Sequence, residues 1–254
     1  MDTQNYHIFE GMTSISALIG AIIDGKNNRK IIKILYDSAS KAKKTREIAF
    51  LSHKARELDF ELIESDSTTI DNLTQGSTHG GIIALTTDRA YPTVSTENIA
   101  KSGFYALIDG VEDPYNFGYC VRSLYAAGAD GLILPQRNWM SASGVVAKSA
   151  AGTSELFDIY VDDLEDAVDK FKACGYKVVC AEIRDSVSLY DADLTGPILF
   201  IIGGEKRGIS SKLMAKADMN IRIDYERSFR GSLPTASAVS IIAFHAANER
   251  KIKK

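Results

Sequence analysis

Three short stretches carry residue types suited to holding and transforming a polar ligand. The first reads Asp109-Gly110-Val111-Glu112-Asp113-Pro114-Tyr115-Asn116-Phe117-Gly118 and leads into Arg122. Asp-Pro and Asn-x-Gly are turn chemistry, and Gly118 at a helix start allows a close backbone approach. Asn116 and Arg122 would lie near the carboxyl end of the strand that precedes them, where ligands of parallel sheets bind. The second stretch is Gly203-Gly204-Glu205-Lys206-Arg207-Gly208-Ile209-Ser210. Its glycines leave main-chain amides and carbonyls open to a ligand. It lacks the G-x-x-x-x-G-K-[ST] order, and no G-x-G-x-x-G occurs, so a Walker nucleotide site and the usual Rossmann site are poorly supported. The third is Arg227-Ser228-Phe229-Arg230-Gly231-Ser232-Leu233-Pro234, in which Pro234 is placed to open a helix. Alone, the first reads as a turn with a surface arginine, the second equally as a tight turn, and the third says little.

The surrounding pattern places these loops. Apolar runs at Phe104 to Ile108, Gly131 to Leu134, Tyr176 to Ala181, Ile198 to Ile202 and Met219 to Ile223 read as strands. Between them, Cys120 to Ala127, Ser143 to Ala150, Leu164 to Ala173 and Thr235 to about Arg250 have helical spacing, with Gly128 and Gly175 as stops. Apolar strands alternating with helices predict an α/β fold, a mostly parallel sheet with helices on both faces. Ligands of such sheets bind at the carboxyl ends of the strands, where all three loops fall.

Upstream, Thr13 or Ser14 can cap a short helix bearing Ile15, Leu18, Ile19 and Ile22, stopped by Gly25. Ile31 to Tyr36 reads as a strand. A longer helix follows from about Ser40 with Ile48, Leu51 and Ala55 at helical spacing, then strands at Phe60 to Ile63 and Gly81 to Leu85. From Thr86 to Thr96 the chain is polar and aperiodic around Pro92. The expected organisation is a small α/β domain over 1–88, a linker over 89–100 and a second domain over 101–254.

The bulk numbers narrow the function classes. A chain of 254 residues with 45% hydrophobic and 25% charged residues has ordinary globular composition and material for a core. No apolar run reaches the roughly 18 to 20 residues needed to cross a bilayer, and the N-terminus has no basic flank of a secretory signal. Cys120, Cys174 and Cys180 are odd in number and have neither disulfide nor zinc spacing, so the expectation is a cytoplasmic protein with no metal and no membrane partner. A net charge of −3 argues against nucleic acid. Against that average stand Lys26, Arg29, Lys30, Lys33, Lys41, Lys43, Lys44 and Arg46, opposed within that run only by Asp37. The run is either a solvated face with its loop or, gathered on one side, a phosphate-attracting patch. His79 could contact RNA or hold a turn; His7, His53 and His245 have no evident partner.

In their order and spacing, Asn116-x-Gly118-x-x-x-Arg122, Ile202-Gly203-Gly204-Glu205-Lys206-Arg207-Gly208 and Ser232-Leu233 opening a small-residue helix resemble the SpoU/TrmH family of RNA ribose methyltransferases, in the SPOUT superfamily. Lys148-Ser149-Ala150-Ala151-Gly152 and the segment from Ser188-Leu189-Tyr190 to Gly196-Pro197 resemble the family's connecting segments. Gly11 and Thr78-His79-Gly80-Gly81-Ile82-Ile83-Ala84 resemble the RNA-binding domain of the rRNA guanosine-methylating branch. The resemblance covers nearly the whole chain. It implies a C-terminal domain tied in a trefoil knot, an exception to the rule of unknotted chains. It also implies S-adenosylmethionine held at Ile202, Gly203, Gly204, Gly208, Ile223 and Leu233, largely through the main chain.

By the same resemblance the protein is expected to work as a homodimer on RNA, rRNA first with tRNA as an alternative, and to transfer a methyl group to a ribose 2′-hydroxyl. Arg122 activates that hydroxyl, Asn116 and Glu205 position it, and Ser232 completes the polar shell. Lys30, Lys33, Lys43, Lys44, Arg46 and His79 are the expected RNA contacts. Two positions depart from the family: Pro234 stands where an asparagine is usual, and Ile223-Asp224 where Ile-Pro is common. Proline offers neither a side-chain amide nor a backbone donor, so Thr235 or Ser237 would have to substitute. The departure motivates an alternative, a non-catalytic RNA-binding or ribosome-assembly protein. A small-molecule methyltransferase would leave the first domain without a role.

Overall fold

The computed structural model describes residues 6–74, 78–136 and 142–252. It divides into two compact units. The first takes the chain up to Ala90 and regains residues 142–156; the second holds the rest.

The first unit begins with β1 (His7–Glu10) and α1 (Gly11–Ile23). Gly11 has φ +78°, which lets the strand turn straight into the helix. The helix therefore starts ahead of Thr13 and Ser14, and Ser14 is buried instead of capping. After β2 (Ile31–Asp37) the Asp37 carboxylate accepts from the Ala39 amide and opens a 3₁₀ turn, Ser38–Lys43. Lys44 leaves helical geometry, so α2 (Thr45–Leu58) begins later than the helix predicted from about Ser40. Then come β3 (Glu61–Ser65), α3 (Ser67–Leu73) and β4 (Ile82–Thr86). The sheet runs β1-β4-β2-β3, with β4 antiparallel to both neighbours and β2 parallel to β3. Phe9, Ile15, Leu18, Ile34, Leu51 and Ile82 form its core.

The second unit opens before its first strand. Val94 is buried, its amide donating to Asp162, and the Val161 amide donates to the Pro92 carbonyl, so residues 91–100 pack onto this unit. Then follow β5 (Phe104–Asp109), α4 (Pro114–Ala127) and β6 (Gly131–Leu134). Next are α5 (Ser143–Ser149) and α6 (Thr153–Leu156), which group with the first unit. There, a Cβ at Gly144 would fall 1.8 Å from the Ile8 carbonyl oxygen, and one at Gly152 2.5 Å from the Ala17 Cβ.

The chain returns through β7 (Ile159–Val161), α7 (Leu164–Ala173), β8 (Lys177–Ala181), β9 (Ser186–Ser188), β10 (Ile198–Gly203), α8 (Ser211–Met214), β11 (Met219–Arg222) and α9 (Thr235–Ile252). Seven strands form one sheet in the order β7-β6-β5-β10-β8-β11-β9, and each neighbouring pair is parallel. This is the parallel sheet predicted from the apolar runs. Tyr105, Leu107, Leu199 and Ile201 pack with Phe171 and Leu213 of α7 and α8. The alternate residues Phe104, Ala106, Ile108, Phe200 and Ile202 are buried as well, so β5 and β10 are covered on both faces.

Candidate active site

The site grows from the pairing of β5 with β10. The two strands run side by side in register to their last residues, Asp109 opposite Gly203, and deliver the first two loops to one point. A Cβ on Gly204 would lie 2.1 Å from the Gly110 carbonyl oxygen, and one on Gly203 2.3 Å from the Gly208 carbonyl carbon. Only glycine admits this contact of main chain with main chain. The Gly208 amide closes the turn on the Gly204 carbonyl at 3.0 Å. Gly208 has φ +65°, and a Cβ there would meet nothing within 4 Å, so its backbone faces open space.

The first loop is shorter than predicted, because the helix starts at Pro114. Asp113 caps it by accepting from the Asn116 amide at 2.8 Å, with proline in the first turn. Asn116 and Gly118 are therefore helical, not turn residues. The side-chain amide of Asn116 donates to Glu205 Oε1 at 2.7 Å, joining the first and second stretches directly. Two further links tie the loops: Lys206 Nζ to Glu112 Oε2 at 3.0 Å, and the Ser210 amide to Asp109 Oδ2 at 3.2 Å. The lysine pair is exposed and adds little stability.

Glu205 also acts on the helix beneath it. Burial, and then the nearby Glu205 charge, push the Cys120 thiol up to about 12, so Cys120 stays a neutral core group. Arg122 projects from the same helix into solvent and makes no ion pair among the described residues. Helix α4 packs along α9, with the Ser123 and Ser240 hydroxyls 2.7 Å apart.

The third stretch precedes α9. The Leu233 amide donates to the Tyr225 hydroxyl at 3.2 Å, and Tyr225 rests against Phe229 with ring centroids 5.8 Å apart. The Pro234 carbonyl accepts from the Ser237 and Ala238 amides and so opens α9. Thr235 is buried, while Ser232 and Ser237 are exposed. Ser232 has no direct bond to Asn116, Glu205 or Arg122. Ile202 is buried within β10, and Ile223 follows the end of β11 half-buried.

The basic run of the first unit separates into parts. Arg29 is a core residue, not a surface one. Its Nε lies 3.0 Å from Glu155 Oε2, its guanidinium donates to the Thr87 carbonyl, and it lies over the Phe9 ring. Lys41 pairs with Glu64. Lys43 and Arg46 are exposed and Lys44 is half-buried, all at the junction of the 3₁₀ turn and α2; Lys44 Nζ lies 3.6 Å from where a Gly80 Cβ would stand. Lys30 is exposed and Lys33 half-buried, away from that junction along β2. His79 is buried and both ring nitrogens are used: Nε2 faces Asp71 at 2.8 Å, and Nδ1 accepts from the Gly81 amide at 2.9 Å. It holds the 78–81 turn and has no ring nitrogen left for RNA. His7 has a partner after all, Asp88. Asp113, Gly110 and Tyr225 are the site residues that sequence inspection missed; Asp-Pro before a helix was the available signal for the first.

Among the described residues, no group of three or more His, Cys, Asp or Glu side chains is placed to hold a metal ion, and no helix is long and apolar enough to cross a membrane.

An all-parallel sheet whose strand ends bring glycine main chain together, beside the tethered Asn116 amide and an Arg122 guanidinium with no ion pair among the described residues, is the arrangement in which α/β proteins hold ligands at their strand ends. The sequence profile of the SpoU rRNA Methylase family matches residues 103–244. The chain belongs to that family. It is 29% identical over 222 residues to the 23S rRNA (guanosine-2′-O-)-methyltransferase RlmB of a Burkholderia species, spanning 86% of this chain and 88% of that protein. With the RlmB of Pseudomonas putida it shares 31% over 149 residues, 58% of this chain and 60% of that protein. The AdoMet-bound rRNA methyltransferase of Sinorhizobium meliloti superposes with a TM-score of 0.77 over 96% of this chain and 87% of its own, at 24% identity, a likeness of fold.

Proposed function

We propose that the protein is an S-adenosylmethionine-dependent RNA methyltransferase that methylates a ribose 2′-hydroxyl, with a guanosine of 23S rRNA as substrate. The observation that carries the reading is the Asn116–Glu205 bond, which couples the glycine-backed loop to the helix bearing an unpaired Arg122. Membership of the SpoU family and the naming of the RlmB relatives as 23S rRNA guanosine methyltransferases support it.

The main chain of Gly203, Ile223 and Leu233, with Ile202, Gly204 and Gly208 around it, would hold the cofactor. The open backbone at Gly208 and the main-chain walls at Gly203 and Gly204 fit a ligand bound chiefly through amides and carbonyls. S-adenosylmethionine, when bound, supplies an electrophilic sulfonium methyl. The 2′-oxygen would have to lie in line with that methyl, whose bond to sulfur would break to leave the thioether S-adenosylhomocysteine, and the hydroxyl proton would pass to solvent water. A guanidinium carries its charge throughout the physiological pH range and is a poor base, so Arg122 orients the hydroxyl and stabilises negative charge on that oxygen instead of taking the proton. Asn116 and Glu205 fix the helix that carries it, and Ser232 adds a donor.

Lys43, Lys44 and Arg46, beside the 78–81 turn, would meet the RNA backbone, with Lys30 and Lys33 further along β2. The reading further includes a homodimer in which Arg122 serves the partner's cofactor, a trefoil knot in the C-terminal domain, and the cytoplasm, where ribosomal RNA resides. The non-catalytic alternative rested on Pro234. It is not favoured, because the relatives are named as methyltransferases and Pro234 serves to open α9.

The test is transfer of labelled methyl from S-adenosylmethionine to an unmodified 23S rRNA transcript. A 2′-O-methyl ribose lacks the hydroxyl that cleaves RNA in alkali, so the product is one alkali-resistant linkage. Label in a base, or none despite cofactor binding, contradicts the reading.

A further inference from the structure

Residues 223–234, between β11 and α9, have no helix or strand of their own, yet they are tied at three places. At the entry, the Asp224 carboxylate accepts from Arg222 Nε at 2.8 Å, and the same guanidinium donates to the Ser186 carbonyl of β9. A bond from the Ser188 hydroxyl, and after it the Arg222 pair, hold the Asp224 carboxyl below the usual carboxylate range. At the exit, the Pro234 carbonyl opens α9. Proline has no amide hydrogen, so the Leu233 amide is the last main-chain donor ahead of that helix. It donates to the Tyr225 hydroxyl at 3.2 Å, a bond that spans 8 positions and closes the loop on itself. Phe229 bridges the two sides. Its ring centroid lies 5.8 Å from that of Tyr225, and a Cβ on Gly231 would stand 2.6 Å from its Cζ. All of these contacts lie within one chain, so they do not depend on which face a second copy covers.

We propose that Tyr225 is a positioning residue of the cofactor site, whose hydroxyl, by holding the Leu233 amide, sets the main chain of Ser232 and Leu233 for S-adenosylmethionine. This rests on the methyltransferase reading, which puts the cofactor at Leu233. A ligand held through main chain gains from a loop already in its binding shape, because ordering that loop at the moment of binding costs conformational entropy. The Tyr225 hydroxyl engages the Leu233 amide as acceptor, which leaves the Leu233 carbonyl to meet donors of the cofactor. Tyr225 thus takes up what Pro234 leaves open, since proline can hold this turn with neither a side-chain amide nor a backbone donor. It acts on cofactor binding and not on the reacting oxygen, which is left to Arg122.

The experiment uses the full chain. Tyr225→Phe keeps a ring beside Phe229 and removes the hydroxyl alone, whereas Tyr225→Ala removes both. Each is compared with wild type by calorimetry with S-adenosylmethionine, methyl-transfer kinetics and filter binding on an unmodified 23S rRNA transcript, amide hydrogen exchange at Leu233, and thermal melting. Tyr225→Phe raises Kd and KM for S-adenosylmethionine about threefold to tenfold, the range for one neutral hydrogen bond, and Tyr225→Ala raises them further. In Tyr225→Phe the Leu233 amide exchanges faster, while kcat at saturating cofactor, RNA affinity and melting temperature stay at wild type. Native cofactor affinity in Tyr225→Phe overturns the proposal, and so does Leu233 exchange as slow as in wild type. A loss of cofactor affinity matched by a fall in melting temperature makes Tyr225 a general support of the fold and also overturns it. Wild type that binds no S-adenosylmethionine overturns the proposal and the methyltransferase reading together. Wild type that binds it and methylates no RNA sinks that reading alone, and calorimetry with exchange then decides the role of Tyr225.

Discussion

The side-chain amide of Asn116 donates to Glu205 across 2.7 Å, joining residues 89 positions apart in the chain. One is in the first turn of α4 and the other follows β10, so the bond fixes the Arg122-bearing helix relative to the loop. Asn116→Ala or Glu205→Ala removes that bond and frees the helix turn. Misplacement by about 1 Å costs on the order of a hundredfold in rate. The expected result is a fall of that size in kcat with unaltered melting temperature, measured by single-turnover methyl transfer.

Gly204→Ala tests the loop that carries Glu205. Its Cβ would lie 2.1 Å from the Gly110 carbonyl oxygen, and both sides of that contact are main chain. Overpacking of this kind costs about 1–3 kcal/mol. Denaturant titration should find a loss in that range, and calorimetry a collapse of S-adenosylmethionine binding. A variant with native cofactor affinity would mean that the loop is not a binding element.

These two loops also show what was legible in the sequence. The strands delivering them are uninterrupted apolar runs, and β5, β6, β10 and α7 lie where periodicity predicts. Asp113-Pro114 misled, because an aspartate before proline marks a turn or a capped helix start, and only the bond from the Asn116 amide distinguishes them. Arg29 misled differently. Charge places an arginine at the surface unless a buried carboxylate awaits it, and Glu155 lies 126 residues away. The grouping of residues 142–156 with the first unit has the same long-range origin.

The buried cluster at Arg29 leads to a stability prediction. Glu155 Oε2 receives Arg29 at 3.0 Å and Asn27 at 2.8 Å, with both charged side chains almost fully enclosed. Removing one partner strands a buried charge and costs about 3 to 5 kcal/mol. Arg29→Ala and Glu155→Ala should each lower the unfolding free energy by that amount. The double variant should lose less than their sum, since neither charge is then left alone.

Cys120 and Cys180 determine behaviour in alkali. Burial above all raises both thiols from 9.0 to about 12. The folded chain therefore keeps two protons that the unfolded chain releases between those values. Their contribution to stability is full below pH 9 and falls as pH rises toward 12, by roughly 1.4 kcal/mol per pH unit for each thiol. Denaturation midpoints measured from pH 8 to 10.5 should decline accordingly, and replacing both cysteines with alanine should flatten the decline. In the native state at pH 8, a thiol reagent should modify Cys174, which is only half-buried, well before the other two.

The most direct measurement is methyl transfer to the rRNA transcript by Arg122→Ala beside wild type. Loss of a donor aimed at developing oxyanion charge costs about 10² to 10³ in kcat. The account predicts a fall of that size, with label in a ribose 2′-O-methyl group for wild type and with unchanged S-adenosylmethionine affinity and melting temperature for the variant. An Arg122→Ala protein that methylates RNA at the wild-type rate would contradict it.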